Sequence, residues 1–376
     1  MKFIPYGKQL IDDDDINAVV KALKAPLITT GPTAKEFEDK LAIYAGAKYC
    51  VVVSNGTAAL HLSSLVLLDK GNKVLTTPNS FLATSNAILY AGAKPIFVDI
   101  QEDGNIDLDL CEVELKKDKN IKAIYAVAFS GNPVNQKKLK YLRKTYNIKI
   151  LEDCAHAIGS QDNGIKAGSC KNSDCTIFSF HPVKHMTTGE GGAITTNNKE
   201  IYEKILLFRN HCMERKPNIA PWYYEINDLG YNYRITDIQC ALGISQLSKL
   251  DKNIERRKIL AKQYDKAFES SSFINPLYKF DGKSSYHLYI VRINFDKLRL
   301  TKIELFNKLL KYEFGVMVHY IPINKQPYYI ELGYGNEKTP NMDKYYEEAI
   351  SLPMYYSLSD TEQKYVIKIL KDMIDE

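Results

Sequence analysis

A short apolar run leads through a small polar turn into a helix-forming segment at Cys50-Val51-Val52-Val53-Ser54-Asn55-Gly56-Thr57-Ala58-Ala59-Leu60. Branched apolar residues favour strands, and Ser or Asn before small residues is typical of a helix start. The stretch therefore predicts a strand that runs directly into a helix. Repeated along a chain, such units build a parallel sheet covered by helices.

The same alternation recurs through the first half of the chain. Five more apolar runs, each followed by a segment with helical period, lie at residues 73–76, 95–100, 121–128, 148–151 and 175–178. They predict a mostly parallel sheet with helices on both faces. Ligands of such sheets bind beyond the carboxyl ends of the strands, so the residues that follow the strands are the candidate site residues.

Helical patterns flank this region. Carboxylates at residues 12–15 precede an apolar stripe, which predicts a helix beginning near Asp13. A second helix is expected around Phe37 and Tyr44, and a long one over residues 237–268.

The last hundred or so residues mix short strands with helices. We expect strands at residues 287–293 and 316–321, and helices near Ile303 and Glu362. The sequence therefore predicts a large α/β domain over residues 1–250 and a smaller α+β domain over residues 251–376.

Composition excludes several classes of protein. The chain has 376 residues, of which 45% are apolar and 25% charged, as in a folded domain with a substantial core. The net charge of +5 is too small for a nucleic-acid binder, although it suits a small anionic ligand. No run reaches the ~20 apolar residues of a membrane span, and residues 1–10 lack the apolar segment of a signal peptide. We therefore expect a cytoplasmic protein with no nucleic-acid or membrane partner.

The cysteines predict no metal site. Cys170 and Cys175 are the closest pair, but no second pair and no His cluster at zinc spacing accompanies them. We interpret all of them as reduced, buried thiols, at positions 50, 111, 154, 170, 175, 212 and 240.

The turn at residues 54–60 could cradle a phosphate group. It opens a helix and presents free backbone N–H groups, the small Gly56 and the Thr57 hydroxyl. It is not a Walker loop, because the Gly-Lys-Ser/Thr end is missing. The alternative is an ordinary helix start, capped by Ser or Asn, that binds nothing.

A carboxylate follows the strand predicted at residues 148–151. Asp153, in Glu152-Asp153-Cys154-Ala155-His156, would emerge at the ligand-binding edge of the sheet. There it could hold a proton on a heterocyclic nitrogen. The alternative is that Asp153 is the N-cap of another helix.

A lysine follows the strand predicted at residues 175–178. Ser179-Phe180-His181-Pro182-Val183-Lys184 delivers Lys184 just before a Gly-rich turn at residues 189–192. A desolvated lysine becomes a nucleophile that can form a Schiff base, whereas the alternative is a solvated surface charge. A phosphate cradle, an Asp and a Lys at strand ends of one sheet are the anchors that pyridoxal phosphate needs for its phosphate, ring nitrogen and aldehyde.

Four motifs also carry a family resemblance: Ser-Asn-Gly-Thr-Ala-Ala-Leu at 54–60, Glu-Asp-Cys-Ala-His-Ala-Ile-Gly at 152–159, Ser-Phe-His-Pro-Val-Lys at 179–184 with Gly-Glu-Gly-Gly at 189–192, and Leu-Gly-Tyr-Asn-Tyr-Arg at 229–234. Across nearly the whole chain, the sequence resembles the sugar aminotransferases of the DegT/DnrJ/EryC1/StrS family. The resemblance implies the aspartate aminotransferase type I fold, a homodimer with shared active sites, and pyridoxal 5′-phosphate as cofactor with pyridoxamine phosphate as its amino form.

Within the family, the chain is most similar to the branch that serves pseudaminic acid biosynthesis. The features that carry this similarity are Ile4-Pro5-Tyr6-Gly7, Gly104-Asn105-Ile106-Asp107, His156, His-Pro-Val-Lys at 181–184, and Val318-His319-Tyr320. The similarity implies transfer of the L-glutamate amino group to C4 of a UDP-4-keto-6-deoxy sugar.

The resemblance implies roles for individual residues. Lys184 would attach the cofactor and move protons, and Asp153 would pair with the ring nitrogen. The remaining cofactor contacts would be Gly56, Thr57 and Ser179 at the phosphate, Phe81 and His156 at the ring, and Asn232 reaching the phosphate of the partner subunit's site. The nucleotide-sugar cleft would be lined by Tyr6, Pro26, Leu27, Ile28, Thr29, Val318, His319, Tyr320 and Ile321.

Several alternatives remain open. Phe81 could be plain core packing, and Asn232 could cap a helix beginning near Thr236. A 3-dehydrase of the same family has His in place of the lysine, and His185 is one residue from Lys184. The substrate could be another 4-keto sugar, of perosamine or viosamine type, and the chain could be a regulator that binds the cofactor without catalysis.

Overall fold

The computed structural model describes residues 3–374. In this range the strands are β1 (Tyr49–Val53), β2 (Lys73–Thr76), β3 (Lys94–Phe97), β4 (Ile121–Val127), β5 (Lys149–Asp153), β6 (Gln161–Asp162), β7 (Ile165–Lys166), β8 (Cys175–Ser179), β9 (Gly192–Thr196), β10 (Met213–Arg215), β11 (Tyr224–Ile226), β12 (Ile274–Pro276), β13 (Tyr289–Ile293) and β14 (Ala349–Leu352).

The α-helices in the same range are α1 (Asp13–Leu23), α2 (Pro32–Ala45), α3 (Gly56–Leu67), α4 (Leu82–Tyr90), α5 (Leu108–Lys117), α6 (Gln136–Tyr146), α7 (Lys199–Arg209), α8 (Asp237–Ser248), α9 (Leu250–Phe268), α10 (Lys302–Lys311), α11 (Pro327–Glu331), α12 (Pro340–Glu348) and α13 (Asp360–Ile374).

The main sheet has seven strands in the order β1-β9-β8-β5-β4-β2-β3. Neighbours from β8 through β5, β4 and β2 to β3 are parallel, whereas β9 is antiparallel to both β8 and β1. The predicted mostly parallel α/β sheet is therefore confirmed. Strand β9 was not predicted, because it starts at Gly192 within a Gly-rich segment that is typical of a turn.

The predicted helix starts are confirmed at the two positions where the sequence was most explicit. Helix α1 begins at Asp13, and the side chain of Asp12 caps it by accepting the Asp15 N–H. Helix α3 begins at Gly56, directly after β1, and the Asn55 side chain accepts the Ala58 N–H at 2.8 Å.

The prediction of one long helix over residues 237–268 is wrong, because the helix is interrupted at Lys249, between α8 and α9. The Lys249 ammonium is 2.6 Å from Asp12, the N-cap of α1, and 2.9 Å from Asp15 in the first turn of α1. The break lets α8 pack against α1 while α9 runs on toward a second core.

The predicted strand over residues 316–321 is also wrong. Only Met317 pairs with a strand, through two backbone hydrogen bonds with Ser351 of 2.8 and 3.2 Å. The segment leaves the sheet after this bridge, and His319 and Tyr320 further along it both line a cavity against the main sheet.

Helix α9 contributes side chains to two hydrophobic cores. Leu250 and Ile254 belong to a core against the main sheet, whereas Leu260 and Tyr264 pack with the sheet β12-β13-β14. Ile4 belongs to this second core. The division into domains 1–250 and 251–376 stays a prediction, and residues 1, 2, 375 and 376 of those ranges lie outside the described part.

All seven cysteines are buried free thiols, as predicted. No helix within residues 3–374 combines the length and apolarity that crossing a membrane requires. Over the same range, no group of three or more His, Cys, Asp and Glu side chains is placed to hold a metal ion.

Candidate active site

A cavity of about 870 Å³ opens where β5, β8 and the start of α3 meet. It brings together side chains from distant parts of the sequence, as expected for the carboxyl ends of parallel strands. The predicted site residues that line it are Tyr6, Gly56, Thr57, Phe81, Asp153, His156, Ser179, Lys184, His319 and Tyr320.

One wall is the start of α3. The first N–H groups of any α-helix lack partners within the helix, and here Asn55 satisfies only that of Ala58. A Cβ atom on Gly56 would lie 3.1 Å from Cβ of Ser179, so the two segments approach closely only because residue 56 is glycine. The turn is thus a capped helix start that also faces the cavity, as an anion cradle requires.

A buried carboxylate stands at the end of β5. Asp153 accepts the Thr84 hydroxyl at 2.7 Å and the Ala155 N–H at 3.0 Å. Burial raises the pKa of Asp153, whereas these two hydrogen bonds and the nearby Lys184 cation act to lower it. Residues 155–159 form a turn and no helix follows Asp153, so the alternative that Asp153 caps a helix is wrong.

The lysine lies in the loop between β8 and β9. Burial lowers the pKa of Lys184 to about 8, although the Asp153 carboxylate acts in the opposite direction. A lysine in this range is partly neutral near physiological pH, and only the neutral amine is a nucleophile. Lys184 is therefore not the solvated surface charge of the alternative interpretation.

The neighbouring His185 does not share this position. Its ring is buried, and Nε2 lies 3.0 Å from the Ser285 carbonyl oxygen. Lys184 lines the large cavity, whereas His185 lies behind it. The placement expected of a dehydrase, with a histidine in the cavity at this point of the chain, is not found.

A second buried histidine forms part of the cavity wall. Nε2 of His156 is 3.2 Å from the Tyr320 hydroxyl, and its ring centroid is 4.3 Å from that of His287. Burial holds the pKa of His156 well below its usual value, so the ring is neutral. Nδ1 of His156 is buried without a hydrogen-bond partner among residues 3–374, which leaves it available to a bound group.

Phe81 closes the cavity on one side. Its side chain is 59% exposed, and its ring centroid lies 6.1 Å from that of Tyr320. The alternative that Phe81 is plain core packing is therefore wrong. An exposed aromatic ring at a cavity mouth is suited to stacking on a planar ligand.

Asn232 is not in this cavity. Its side chain is exposed, and its backbone pairs with Asn210. The alternative that Asn232 caps the following helix is wrong, because Thr236 caps α8 by accepting the Gln239 N–H at 3.2 Å. A role for Asn232 in the partner's site stays a prediction.

The segment from Pro26 to Thr29 lies outside the cavity as well. Leu27 is 54% exposed and Ile28 48% exposed. Thr29 forms a bridge with Thr236, so this segment and the one that carries Asn232 lie side by side. We refer to the exposed residues Leu27, Ile28 and Asn232 of these two segments as the outer face.

The other two predicted substrate residues are also elsewhere. Val318 lines a separate cavity of about 900 Å³, together with Phe295 and Tyr346, and Ile321 is exposed. Their contact with substrate stays a prediction.

Among the functional residues that the sequence missed are one that supports the cavity wall from behind and one that lines the cavity. Thr84 holds Asp153, and its position three residues after Phe81 in the first turn of α4 could have revealed it. His287 lines the cavity beside His156, but in the sequence it only opens an apolar run, which carries no signal for a site.

With this geometry in hand, comparison with protein families gives one match over residues 9–371, the DegT/DnrJ/EryC1/StrS aminotransferase family. The chain belongs to this family. It is therefore an aminotransferase, and its cofactor is pyridoxal 5′-phosphate, as the sequence predicts.

Relatives of this aminotransferase carry more specific names. It is 42% identical over 375 residues to the UDP-4-amino-4,6-dideoxy-N-acetyl-β-L-altrosamine transaminase of Campylobacter jejuni, covering 99% of this chain and 98% of the relative. A Helicobacter pylori protein with the same name is 33% identical, covering 99% and 98%.

Solved structures agree with the fold. An H. pylori aminotransferase involved in the biosynthesis of pseudaminic acid superimposes with a TM-score of 0.92 and 31% identity over the full length of both chains. A putative sugar aminotransferase of Streptococcus pneumoniae in its pyridoxal phosphate form gives 0.90 and 31%, covering 99% of this chain and 98% of the other.

The residues of this aminotransferase fit the cofactor. The α3 cradle beside Ser179 offers N–H and hydroxyl donors for a phosphate, Asp153 a carboxylate for a ring nitrogen, and Lys184 an amine for an aldehyde. His156 lines the same cavity, and its Nδ1, buried without a partner among the described residues, could accept a hydrogen bond from a polar group of the cofactor or donate one to it.

Proposed function

We propose that this aminotransferase moves the amino group of L-glutamate to C4 of UDP-2-acetamido-2,6-dideoxy-β-L-arabino-hex-4-ulose, giving UDP-4-amino-4,6-dideoxy-N-acetyl-β-L-altrosamine for pseudaminic acid synthesis. The observation that carries the proposal is the single cavity in which Lys184, Asp153 and the α3 cradle meet. The choice of sugar is supported by 42% identity, over nearly the whole chain, to a transaminase of that name.

The bound cofactor supplies an aldehyde that exchanges amines and a ring that accepts electrons. Lys184 would attach it, and Gly56, Thr57 and Ser179 would bind its phosphate. Phe81 would cover one face of the ring and exclude water from it.

Lys184 would also move the protons. Its amine removes the proton from Cα of the amino donor in the first half-reaction and delivers a proton to C4 of the sugar in the second. A pKa of about 8 suits both tasks, because such a group gives and takes protons readily near neutral pH.

Asp153 would hold a proton on the ring nitrogen and so keep the ring electron-poor. Thr84 and the Ala155 N–H fix the orientation of the carboxylate. Although burial raises the pKa of Asp153, a cationic ring nitrogen would favour its ionised form.

We also propose a homodimer in which the outer face completes the partner's site. Leu27 and Ile28 are exposed apolar residues beside Asn232, and Trp222 and Leu229 nearby in sequence are 77% and 78% exposed. Exposed apolar groups of this size are typical of an interface.

Seven free thiols support a reducing, cytoplasmic location.

The experiment is an end-point assay of purified enzyme, with L-glutamate as donor, against a panel of UDP-, dTDP- and GDP-4-keto-6-deoxyhexoses. We expect the UDP-N-acetylated L-arabino sugar to be converted at least tenfold faster than the others. Preference for a perosamine- or viosamine-type precursor would overturn the sugar assignment but not the aminotransfer. Failure of glutamate to bleach the visible cofactor band would overturn the choice of donor.

A further inference from the structure

A buried cation lies behind the cavity. Arg257, in α9, is 2% exposed, and its Nη1 donates to the carbonyl oxygens of Tyr286 at 3.2 Å, His287 at 3.1 Å and Met354 at 2.9 Å. Within residues 3–374 no carboxylate lies within ion-pair distance of it. Burial lowers the pKa of Arg257 to about 10, so the side chain stays charged at neutral pH.

A buried charge without a counter-ion is unfavourable, and a well-packed apolar side chain is often the more stable choice. The three carbonyl dipoles offset part of this cost. Packing alone therefore does not explain an arginine at this position. The chain segments that carry the three carbonyl groups offer an explanation.

The first two carbonyls belong to the segment that carries His287 into the cavity. The His287 ring lies 4.3 Å from that of His156, which in turn meets the Tyr320 hydroxyl. On its other side this segment is packed tightly against Gly131. A Cβ atom on Gly131 would come within 2.9 Å of the backbone nitrogens of Tyr286 and His287.

The third carbonyl leads to the opposite wall. The Met354 N–H donates to the Tyr6 carbonyl oxygen at 2.9 Å, and the Tyr6 ring lies in the cavity, 5.4 Å from that of His319. A single guanidinium therefore connects the segment that carries His287 with Met354, and through Met354 with the segment that carries Tyr6.

Arg257 also lies directly behind the lysine. A small cavity of about 10 Å³, which is room for about one water molecule, is lined by Lys184, His185 and Arg257. Nε of Arg257 and Nδ1 of His185 are buried without partners among the described residues. The Arg257 charge further contributes to the low pKa of His185 and His287, for which burial is the main cause.

We propose that Arg257 is a positioning residue of the aminotransferase site, which holds His287 and Tyr6 in place around the cofactor ring without touching cofactor or substrate. The proposal rests on the family's cofactor and not on the identity of the sugar.

The test compares Arg257→Met with Arg256→Met. Arg256 is the adjacent residue of α9, and it binds the Leu358 carbonyl and Asp360 away from the cavity. Each variant loses one arginine of the same helix, but only one loses the carbonyl contacts behind the site. Visible circular dichroism of bound pyridoxal phosphate reports ring orientation, and hydrogen exchange of the apoenzyme reports loosening of the backbone.

We expect Arg257→Met to bind cofactor with unchanged stoichiometry but with at least a twofold change in the visible dichroism. Peptides containing residues 284–288 and 4–8 should exchange faster, and bleaching by L-glutamate should slow at least tenfold. Arg256→Met should match the wild type in all three measurements. Dichroism and exchange of Arg257→Met that match Arg256→Met would overturn the proposal.

If Arg257→Met does not fold, Arg257→Lys decides by the same dichroism and exchange measurements. It keeps the charge, but a single nitrogen at the end of a flexible stem does not reproduce the fixed geometry of a guanidinium. We expect altered dichroism and faster exchange of residues 284–288. Wild-type values of both in a folded Arg257→Lys protein would overturn the proposal.

Discussion

The family resemblance implies site roles for both the cavity wall and the outer face, yet the two have opposite environments. Lys184, Asp153 and Gly56 converge on one cavity, whereas Leu27 and Asn232 face outward. The cavity wall consists largely of groups that end or follow β1, β5 and β8 of one sheet, so the fold of one chain is sufficient to assemble it. The outer face does not line that cavity, and its proposed role requires a second chain.

Replacing Lys184 tests the wall most severely. Lys184→Ala should reduce turnover by at least about 10⁴-fold, because it removes both the attachment and the proton transfer. The protein should still fold and bind pyridoxamine phosphate, which the cradle and Asp153 hold without a covalent bond. Turnover assays, far-ultraviolet circular dichroism and calorimetric titration with pyridoxamine phosphate measure these effects.

The matched control is Lys199→Ala, which removes a lysine whose side chain is 71% exposed. It should behave as the wild type. Substantial turnover by Lys184→Ala would place the catalytic amine elsewhere.

Asp153→Asn should keep the cofactor but slow turnover on the order of 10²-fold or more, about 3 kcal/mol of barrier. An amide cannot hold a proton on the ring nitrogen as a carboxylate does. Asp162→Asn is the control, because Asp162 is equally buried but caps the Gln136 N–H away from the cavity. Rates of Asp153→Asn within a few-fold of Asp162→Asn would show that Asp153 has a structural role only.

Thr84→Val should have a smaller effect in the same direction. It removes one hydrogen bond of 2.7 Å to the Asp153 carboxylate at nearly constant volume. A hydrogen bond to a charged group contributes about 1.5 kcal/mol or more, which corresponds to about a tenfold loss of turnover. Steady-state kinetics check this, and Thr84→Ser, which keeps the hydroxyl, should restore most of the rate.

Mixing two inactivated variants tests whether the outer face of one subunit acts in the site of its partner. In heterodimers of Lys184→Ala and Asn232→Asp subunits, one site should combine an intact Lys184 with an intact Asn232. Random exchange of equal amounts makes half of the dimers mixed, so activity should rise to about a quarter of the wild-type value. Size-exclusion chromatography of differently tagged subunits verifies that exchange has occurred.

The control mixes Lys184→Ala with Asp153→Asn. Both residues belong to the wall of one chain, so no intact site can form and activity should stay at the mean of the parents. If subunits exchange and the first mixture also stays at its mean, Asn232 does not act across the interface.

The smallest expected effect concerns pH. Because burial lowers the pKa of Lys184 to about 8, its amine becomes neutral as pH rises through about 8 rather than through the usual ~10.4. Attachment of pyridoxal phosphate to apoenzyme should therefore speed up with pH and level off above about 8, as followed by visible absorbance. In Asp153→Asn the midpoint should fall, since Asp153 raises the pKa of Lys184. A rate that keeps rising to pH 10 would contradict this.

Much of the main sheet follows from local patterns, since apolar runs with helical segments between them predicted six of its strands. Strand β9 was missed because its pairing with β1 and β8 is a long-range property that two glycines disguise locally. The interruption between α8 and α9 was missed for a similar reason. Lys249, at the interruption, pairs with Asp12 and Asp15 at the start of α1, which is far away in sequence.

The candidate site divides in the same way. Asp153 and Lys184 were predictable because strand ends carry function in parallel sheets. His287 was not, because it enters the cavity only through the packing of its segment against Gly131 and Arg257. A residue that is placed by distant partners carries no mark in its own stretch of sequence.

The position of β1 has a consequence for how the protein is made. Strand β1 is at the edge of the described sheet and pairs there only with β9. During synthesis, residues 49–53 therefore stay unpaired until residues 192–196 have been made. A ribosome adds about 5–20 residues per second, which leaves this strand unpaired for roughly 7 to 28 seconds. During that time an apolar β-branched edge is open to aggregation. The nascent chain should therefore depend on chaperones until β9 has emerged, and the cofactor cannot assist folding before the Lys184 loop, which precedes β9, has been made.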